Sequence, residues 1–307
     1  MGNQFKTALL LGLMTAFIMV IGRVMGGTNG MIIALIFAGG MNFFSYWYSD
    51  KLVLKMYNAR EAGPGQEPEL YSIVQELCGR AELPMPRLYV IPQDSPNAFA
   101  TGRNPQNAVV AVTRGLLNLM SREEIKGVIA HELGHVKNRD ILIGTIAATM
   151  AGAVMMLANM AKWSALFGGF RSNDDEGGAG GIIGVIAMAI IAPMAAMVIQ
   201  MAISRSREYL ADATSARITG NPEGLASALE KLGAYANRIP MKAEAATAHM
   251  FIVSPLSGRS MMSFFSTHPP IEERVARLRH SRPSGAFHEI PDQSAGKRAK
   301  TFWDSLR

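Results

Sequence analysis

Glu123-Glu124-Ile125-Lys126-Gly127-Val128-Ile129-Ala130-His131-Glu132-Leu133-Gly134-His135-Val136-Lys137-Asn138-Arg139-Asp140 is the stretch from which the rest of the chain can be read. Ser121-Arg122-Glu123-Glu124 overlaps its start as a capping box, with Ser121 as N-cap and Glu124 reaching back, so a helix over about 122–138 is predicted. On that helix His131 and His135 share one face one turn apart, and two imidazoles can meet on one zinc while Glu132 stands beside it. HExxH also arises by chance in unrelated helices, so the motif gains weight only from what surrounds it.

A catalytic zinc takes three protein ligands and leaves a fourth position for water. Glu208, in Ser204-Arg205-Ser206-Arg207-Glu208-Tyr209-Leu210-Ala211-Asp212, is the candidate third ligand. Asp212 lies one turn on and can accept the second N–H of a ligand histidine, fixing its tautomer. The plainer alternative pairs Glu208 and Asp212 with Arg205 or Arg207 on a solvated helix. With zinc in place, the expected chemistry is peptide hydrolysis without a covalent intermediate, Glu132 taking a proton from water and delivering it to the leaving amine. A tetrahedral intermediate needs a further donor, for which His249, His268, His280, His288 and Tyr209 are available. His268 sits in the rigid turn Phe264-Phe265-Ser266-Thr267-His268-Pro269-Pro270, although a loop histidine is more often simply exposed.

Outward from this centre the chain is apolar in blocks. Of 307 residues 49% are hydrophobic, and the mean hydropathy is positive, which points to lipid-embedded segments. The net charge of +6 comes without a basic stripe interleaved with aromatics, so an anionic membrane surface fits better than nucleic acid, and no nucleic-acid partner is expected. Cys78 is the single cysteine, which rules out an intramolecular disulfide and a CxxC metal site and leaves a buried small hydrophobe.

Two runs, about 7–25 and 31–48, flank the turn Gly26-Gly27-Thr28-Asn29-Gly30 and read as a transmembrane hairpin within residues 1–50, with Phe43, Phe44, Tyr46, Trp47 and Tyr48 at one interface. A signal peptide is the rival, but the second run follows at once. Lys6, Lys51, Lys55 and Arg60 put both ends on the cytoplasmic side, with Arg23 weakening the bias. Residues 51–140 then form the first part of a water-soluble domain. Leu70, Ile73, Val74 and Leu77 repeat as one face of an amphipathic helix, and Arg87–Pro92 and Ala108–Thr113 are β-type runs of a small sheet. Residues 141–203 hold a second apolar pair, spans of about 141–161 and 182–203, the first following the histidine helix almost without a break. Residues 204–282 complete the soluble part with helical patterns near 204–219, 222–236 and 271–280, and 283–307 form a tail. The fold class expected is a mainly α membrane protein, four transmembrane helices plus a cytoplasmic α+β zincin-like domain.

Asn97-Ala98-Phe99-Ala100-Thr101-Gly102, the HELGHVKNRD run, Ser204–Asp212 and Phe265-Ser266-Thr267-His268-Pro269-Pro270 together resemble the HtpX family of bacterial membrane zinc metalloproteases, over nearly the whole chain. The resemblance implies one zinc per chain on His131, His135 and Glu208, with Glu132 as base. It further implies an inner-membrane, multi-pass protein whose active site faces the cytoplasm and whose substrates are misfolded or damaged membrane proteins, a stress-response and quality-control role. Asn97, Ala98, Phe99 and Ala100 would be the edge strand that binds substrate by β-augmentation; from the residues alone they read as an ordinary loop. His268 gains support as the transition-state donor.

Rival readings fit less well. A eukaryotic-type prenyl-protein protease needs a larger membrane chamber than four spans give. A site-2-type intramembrane protease would bury the motif in lipid, whereas Lys126, Lys137, Asn138, Arg139 and Asp140 flank it here. A non-catalytic membrane adaptor or transporter with a structural zinc would close the fourth position with another protein ligand.

Overall fold

The computed structural model describes residues 3–149, 151, 205–236, 247–253 and 269–280. Both N-terminal apolar runs lie in α1 (Asn3–Met56), which doubles back on itself. Gly27 has φ +59°, a value that costs glycine little, and Gly22 and Gly30 pack so closely that a Cβ on either would strike the other's backbone. Asn42 Nδ2 then donates to Thr15 Oγ1 at 2.9 Å, across 27 residues of sequence. A straight helix would hold those residues about 40 Å apart. The hairpin predicted from the Gly26–Gly30 turn is therefore formed. Among the described residues, Gly27–Met56 is the helix long and apolar enough to cross a membrane, and Thr7–Val20 is a shorter apolar one. Ile33, Ile36 and Phe44 are 68%, 71% and 64% exposed, which water penalises and hydrocarbon does not.

The soluble part is built on a four-stranded sheet of order β1 (Arg60–Glu61), β2 (Arg87–Ile91), β4 (Ala108–Thr113), β3 (Ala98–Gly102). β2 and β4 are parallel, while β1 and β3 join antiparallel at the edges. Every residue of β4 is buried because both faces are covered. On one face Val110 and Val112 meet α2 (Pro68–Ala81) and α4 (Arg122–Lys137) through Ile73, Leu77, Val128 and Ile129. On the other, Val109 and Ala111 join Phe99, Phe251 and the end of α1, Val53, Leu54 and Tyr57. The N-terminal hairpin is thus fastened to the sheet by an apolar contact rather than hung from a linker.

α4 is capped as predicted, Ser121 Oγ accepting from the Glu124 N–H and Glu124 from that of Ser121. It lies against α6 (Arg205–Thr219) and α7 (Pro222–Ala236), and α8 (Ile271–His280) packs on α7. The approach of α4 to α7 is closed by Gly127, where a Cβ would stand 2.5 Å from the Leu225 nitrogen.

The helix expected over about 122–138 stops at Lys137, Arg139 turns left-handed at φ +56°, and α5 begins at 141, helical over the described 141–149. The reason is local, because the turn carries the Asp140 side chain back toward His135. The start of the third apolar run is packed: Ile143, Ile146 and Ala147 bury against Leu10 and Met14 of one hairpin arm, with Met41 of the other beside them. Beyond this start, the spans expected over 141–161 and 182–203 lie outside the described residues, as does the 283–307 tail.

Candidate active site

The face of α4 predicted from the sequence points inward. His131 and Glu132 are 0% and 2% exposed, and the His135 side chain 18%. The two imidazoles stand perpendicular, their Nε2 atoms 3.2 Å apart. Glu208 of α6 brings Oε2 to 3.7 Å from His131 Nε2 and Oε1 to 3.6 Å from His135 Nε2. The three residues therefore offer ligand atoms all within 4.8 Å of one another. A tetrahedral zinc with bonds of about 2.0–2.1 Å sets its nitrogens about 3.3 Å apart, so the imidazole pair already has the right bite.

Both outer nitrogens are held by carboxylates. Asp212 Oδ1 lies 2.9 Å from His131 Nδ1, and Asp140 Oδ2 lies 3.2 Å from His135 Nδ1. With a metal bound, each histidine would keep its proton on Nδ1 and turn the Nε2 lone pair to the common point. Asp140 was not foreseen, because its placement depends on the left-handed turn at Arg139.

Charge fits a dication. Glu132, Glu208, Asp212 and Asp140 are all buried, with Arg274 fully buried among them and a half-buried Arg207 beside Asp140 and Glu208, so four carboxylates face two cations. Arg274, from α8, donates to Asp212 at 2.9 and 2.7 Å and to the Ile252 carbonyl at 3.1 Å, and its guanidinium is 3.6 Å from Glu208. Burial disfavours ionised Asp212, but Arg274 and His131 outweigh it and hold the carboxyl below its usual range. Burial pushes His131 down, and it pushes Glu132 up to about 7. For His135 burial works against the charged form, yet Asp140, Glu208 and Glu132 prevail and push it up to about 10. Two imidazoles and an excess of buried carboxylate over cation are a donor set for a divalent metal. Glu208 and Asp212 are buried rather than set on a solvated helix face, and Arg207, half-buried, keeps an electrostatic interaction with Glu208.

Sequence reading missed Arg274, though its signal was present. Ile271, Arg274, Val275 and Leu278 follow the spacing of a buried helix face, and a lone arginine on such a face needs a partner.

The Ala98–Gly102 segment is an edge strand, not the loop its residues suggested, and the Ala100 N–H bonds the Glu132 carboxylate. Asn97 Nδ2 donates to the Val253 carbonyl at 2.9 Å, and the Ile252 N–H donates to the Ala98 carbonyl at 3.0 Å. Of the candidate donors, His249 Nε2 lies 3.1 Å from the Gly144 carbonyl, away from the cluster. Tyr209 stacks under Arg277, and His280 is exposed at the end of α8. His268 and His288 lie outside the described residues.

The model for peptidase family M48 matches residues 64–282. The chain belongs to peptidase family M48. Whole-length relatives agree: a protease HtpX homolog of Desulforapulum autotrophicum is 67% identical over 310 residues, covering 100% of both chains. One of Desulfatibacillum aliphaticivorans is 66% identical with the same coverage, and one of Thermococcus kodakarensis is 56% identical over 89% of this chain and 94% of its own. The crystal structure of S. mikatae Ste24p shares the fold, with a TM-score of 0.52 at 18% identity over 90% of this chain and 64% of that one. This M48 peptidase is a membrane metalloprotease, and the family implies a metal, typically zinc, for which His131, His135 and Glu208 form the candidate site. An adaptor with a structural metal is not favoured, since the family and its whole-length relatives are proteases.

Proposed function

We propose that this peptidase cleaves misfolded or damaged membrane proteins at the cytoplasmic face of the bacterial inner membrane, using one zinc ion on His131, His135 and Glu208. The observation that carries the reading is the convergence of two Nε2 atoms and a carboxylate whose imidazoles are each held at Nδ1 by a buried aspartate. A bound zinc supplies a Lewis acid that polarises the scissile carbonyl and acidifies water. Glu132, buried beside the ligands, takes the proton of the attacking water and hands it to the amine nitrogen as the C–N bond breaks. Asp212 and Asp140 keep the imidazoles in the required tautomer throughout. The substrate lies extended along β3, in the stretch Asn97, Ala98, Phe99, Ala100, and pairing at Asn97 and Ala98 exchanges with their bonds to Val253 and Ile252. His268 serves as the donor to the tetrahedral oxygen.

For the membrane part, the reading is four spans with both hairpins returning to the cytoplasm. It is supported by the folded α1 and by the packing of α5 against both of its arms. The test is to purify the full chain in detergent, strip it with chelator and follow cleavage of an unfolded protein. Activity restored by about one zinc per chain is expected; cleavage that survives stripping, or stays absent at full zinc load, contradicts the proposal.

A further inference from the structure

Beyond the last turns of α1 an open cavity of about 820 Å³ is walled by cations from two directions. Lys51 and Lys55 come from the helix, Arg60 from β1 and Arg87 from β2, with Asn58 and Tyr89 between them. All four basic residues are exposed, and among the described residues their ion pair is Arg87 with Asp50 at 2.7 Å. Two lysines at a helix C-terminus have an ordinary explanation, since they offset the partial negative charge of the last carbonyls. That explanation does not cover Arg60 and Arg87, which reach the same space from neighbouring strands although the register sets them on opposite sides of the sheet.

The cavity also has a defined depth. Lys51 Nζ lies 5.4 Å from the centre of the Tyr48 ring, and Phe43, Phe44, Tyr46, Trp47 and Tyr48 are all exposed on the turns just before it. Aromatic residues of this kind mark the level of lipid headgroups. A basic hollow one turn further out meets the phosphate layer of the same leaflet. On the far side, Val53, Leu54 and Tyr57 dock on the sheet, and Tyr57 stacks with Phe99 of β3 at 6.2 Å between ring centres.

We propose that this cavity binds a phosphate group, namely the phosphodiester of an anionic phospholipid, and so fixes the protease domain against the membrane surface. Arg60 and Arg87 supply directed N–H donors to the phosphate oxygens, while Lys51 and Lys55 add point charges. The lipid assignment rests on α1 spanning the membrane; the phosphate chemistry of the cavity does not.

The test uses the full chain in neutral detergent, with phosphatidylglycerol, phosphatidylcholine and inorganic phosphate as separate probes. Native mass spectrometry should show one phosphatidylglycerol retained per chain and phosphatidylcholine not retained. Lys55→Gln with Arg60→Gln should weaken that retention by roughly thirtyfold, since each removed cation near an anionic surface counts for about a factor of five. Arg80→Gln with Arg122→Gln, which removes the same charge elsewhere, should leave it unchanged. If inorganic phosphate stabilises the wild type against heat but not the cavity variant, while neither lipid is retained, the site is a free-phosphate site and the lipid assignment falls. If both double variants lose phosphatidylglycerol equally, or neither does, the cavity is not the site and the proposal is overturned. Fractionation is scored separately: a chain that needs detergent keeps the spanning reading whatever the lipid result, and a chain recovered without detergent refutes that reading alone.

Discussion

Two aspartates decide which nitrogen of each histidine faces the metal position. Asp212 and Asp140 sit at 2.9 and 3.2 Å from the Nδ1 atoms of His131 and His135, and loss of such a partner typically costs 10–100-fold in metal affinity. Asp140→Asn should therefore weaken zinc binding by about that factor in competition with a chromophoric chelator; an unchanged affinity would show that the ring orientation is set by packing alone. Asp212→Asn should weaken it more, because the same change strips Arg274 of the carboxylate that accepts both its N–H groups. The histidines, Glu132 and Glu208 are legible from spacing and residue type. Asp140 is not, since its role depends on one left-handed residue, Arg139, that no local pattern demands. Arg274 was legible in principle, as the charged member of an otherwise apolar helix face.

The helices carried their own signals because their faces are wet on one side and buried on the other. Leu70, Ile73, Val74 and Leu77 are all buried as the spacing predicts, and the capping box places the start of α4 at Arg122. β2 and β4 read as strands for their β-branched content. β3 did not: Ala98, Phe99, Ala100 and Thr101 are buried on both faces of an edge position, so no alternation of polar and apolar residues appears. The family resemblance supplied that strand where periodicity could not. What the motif helix needs besides its cap is close approach to α7 at Gly127, where a Cβ would stand 2.7 Å from the Leu225 Cα. Gly127→Ala gains helix propensity but overpacks this contact, and a net loss of about 1–3 kcal/mol is expected, seen as a lower melting temperature in detergent. A variant as stable as wild type would mean that α7 can slide.

At the scale of the molecule, the hairpin, the sheet and α4 form one connected body. α1 docks on the sheet through Tyr57, the Thr101 and Thr145 hydroxyls link β3 to α5 at 2.9 Å, and α5 buries Ile143 and Ile146 against the hairpin. Composition announced the membrane part, but not that the start of its third run would be anchored between β3 and the hairpin, because burial against protein and burial in lipid select the same residues. Reporter fusions after Asp175 and at the C-terminus should report periplasm and cytoplasm respectively; a cytoplasmic signal at Asp175 contradicts the four-span reading. The central claim is that the cluster on α4 and α6 is a catalytic metal site with Glu132 as its base. Its most direct test is to measure zinc content and cleavage of an unfolded protein in the same samples of wild type and Glu132→Gln. We expect one zinc per chain in both and cleavage lowered by at least about a hundredfold in the variant. Equal cleavage at equal zinc would contradict the mechanism.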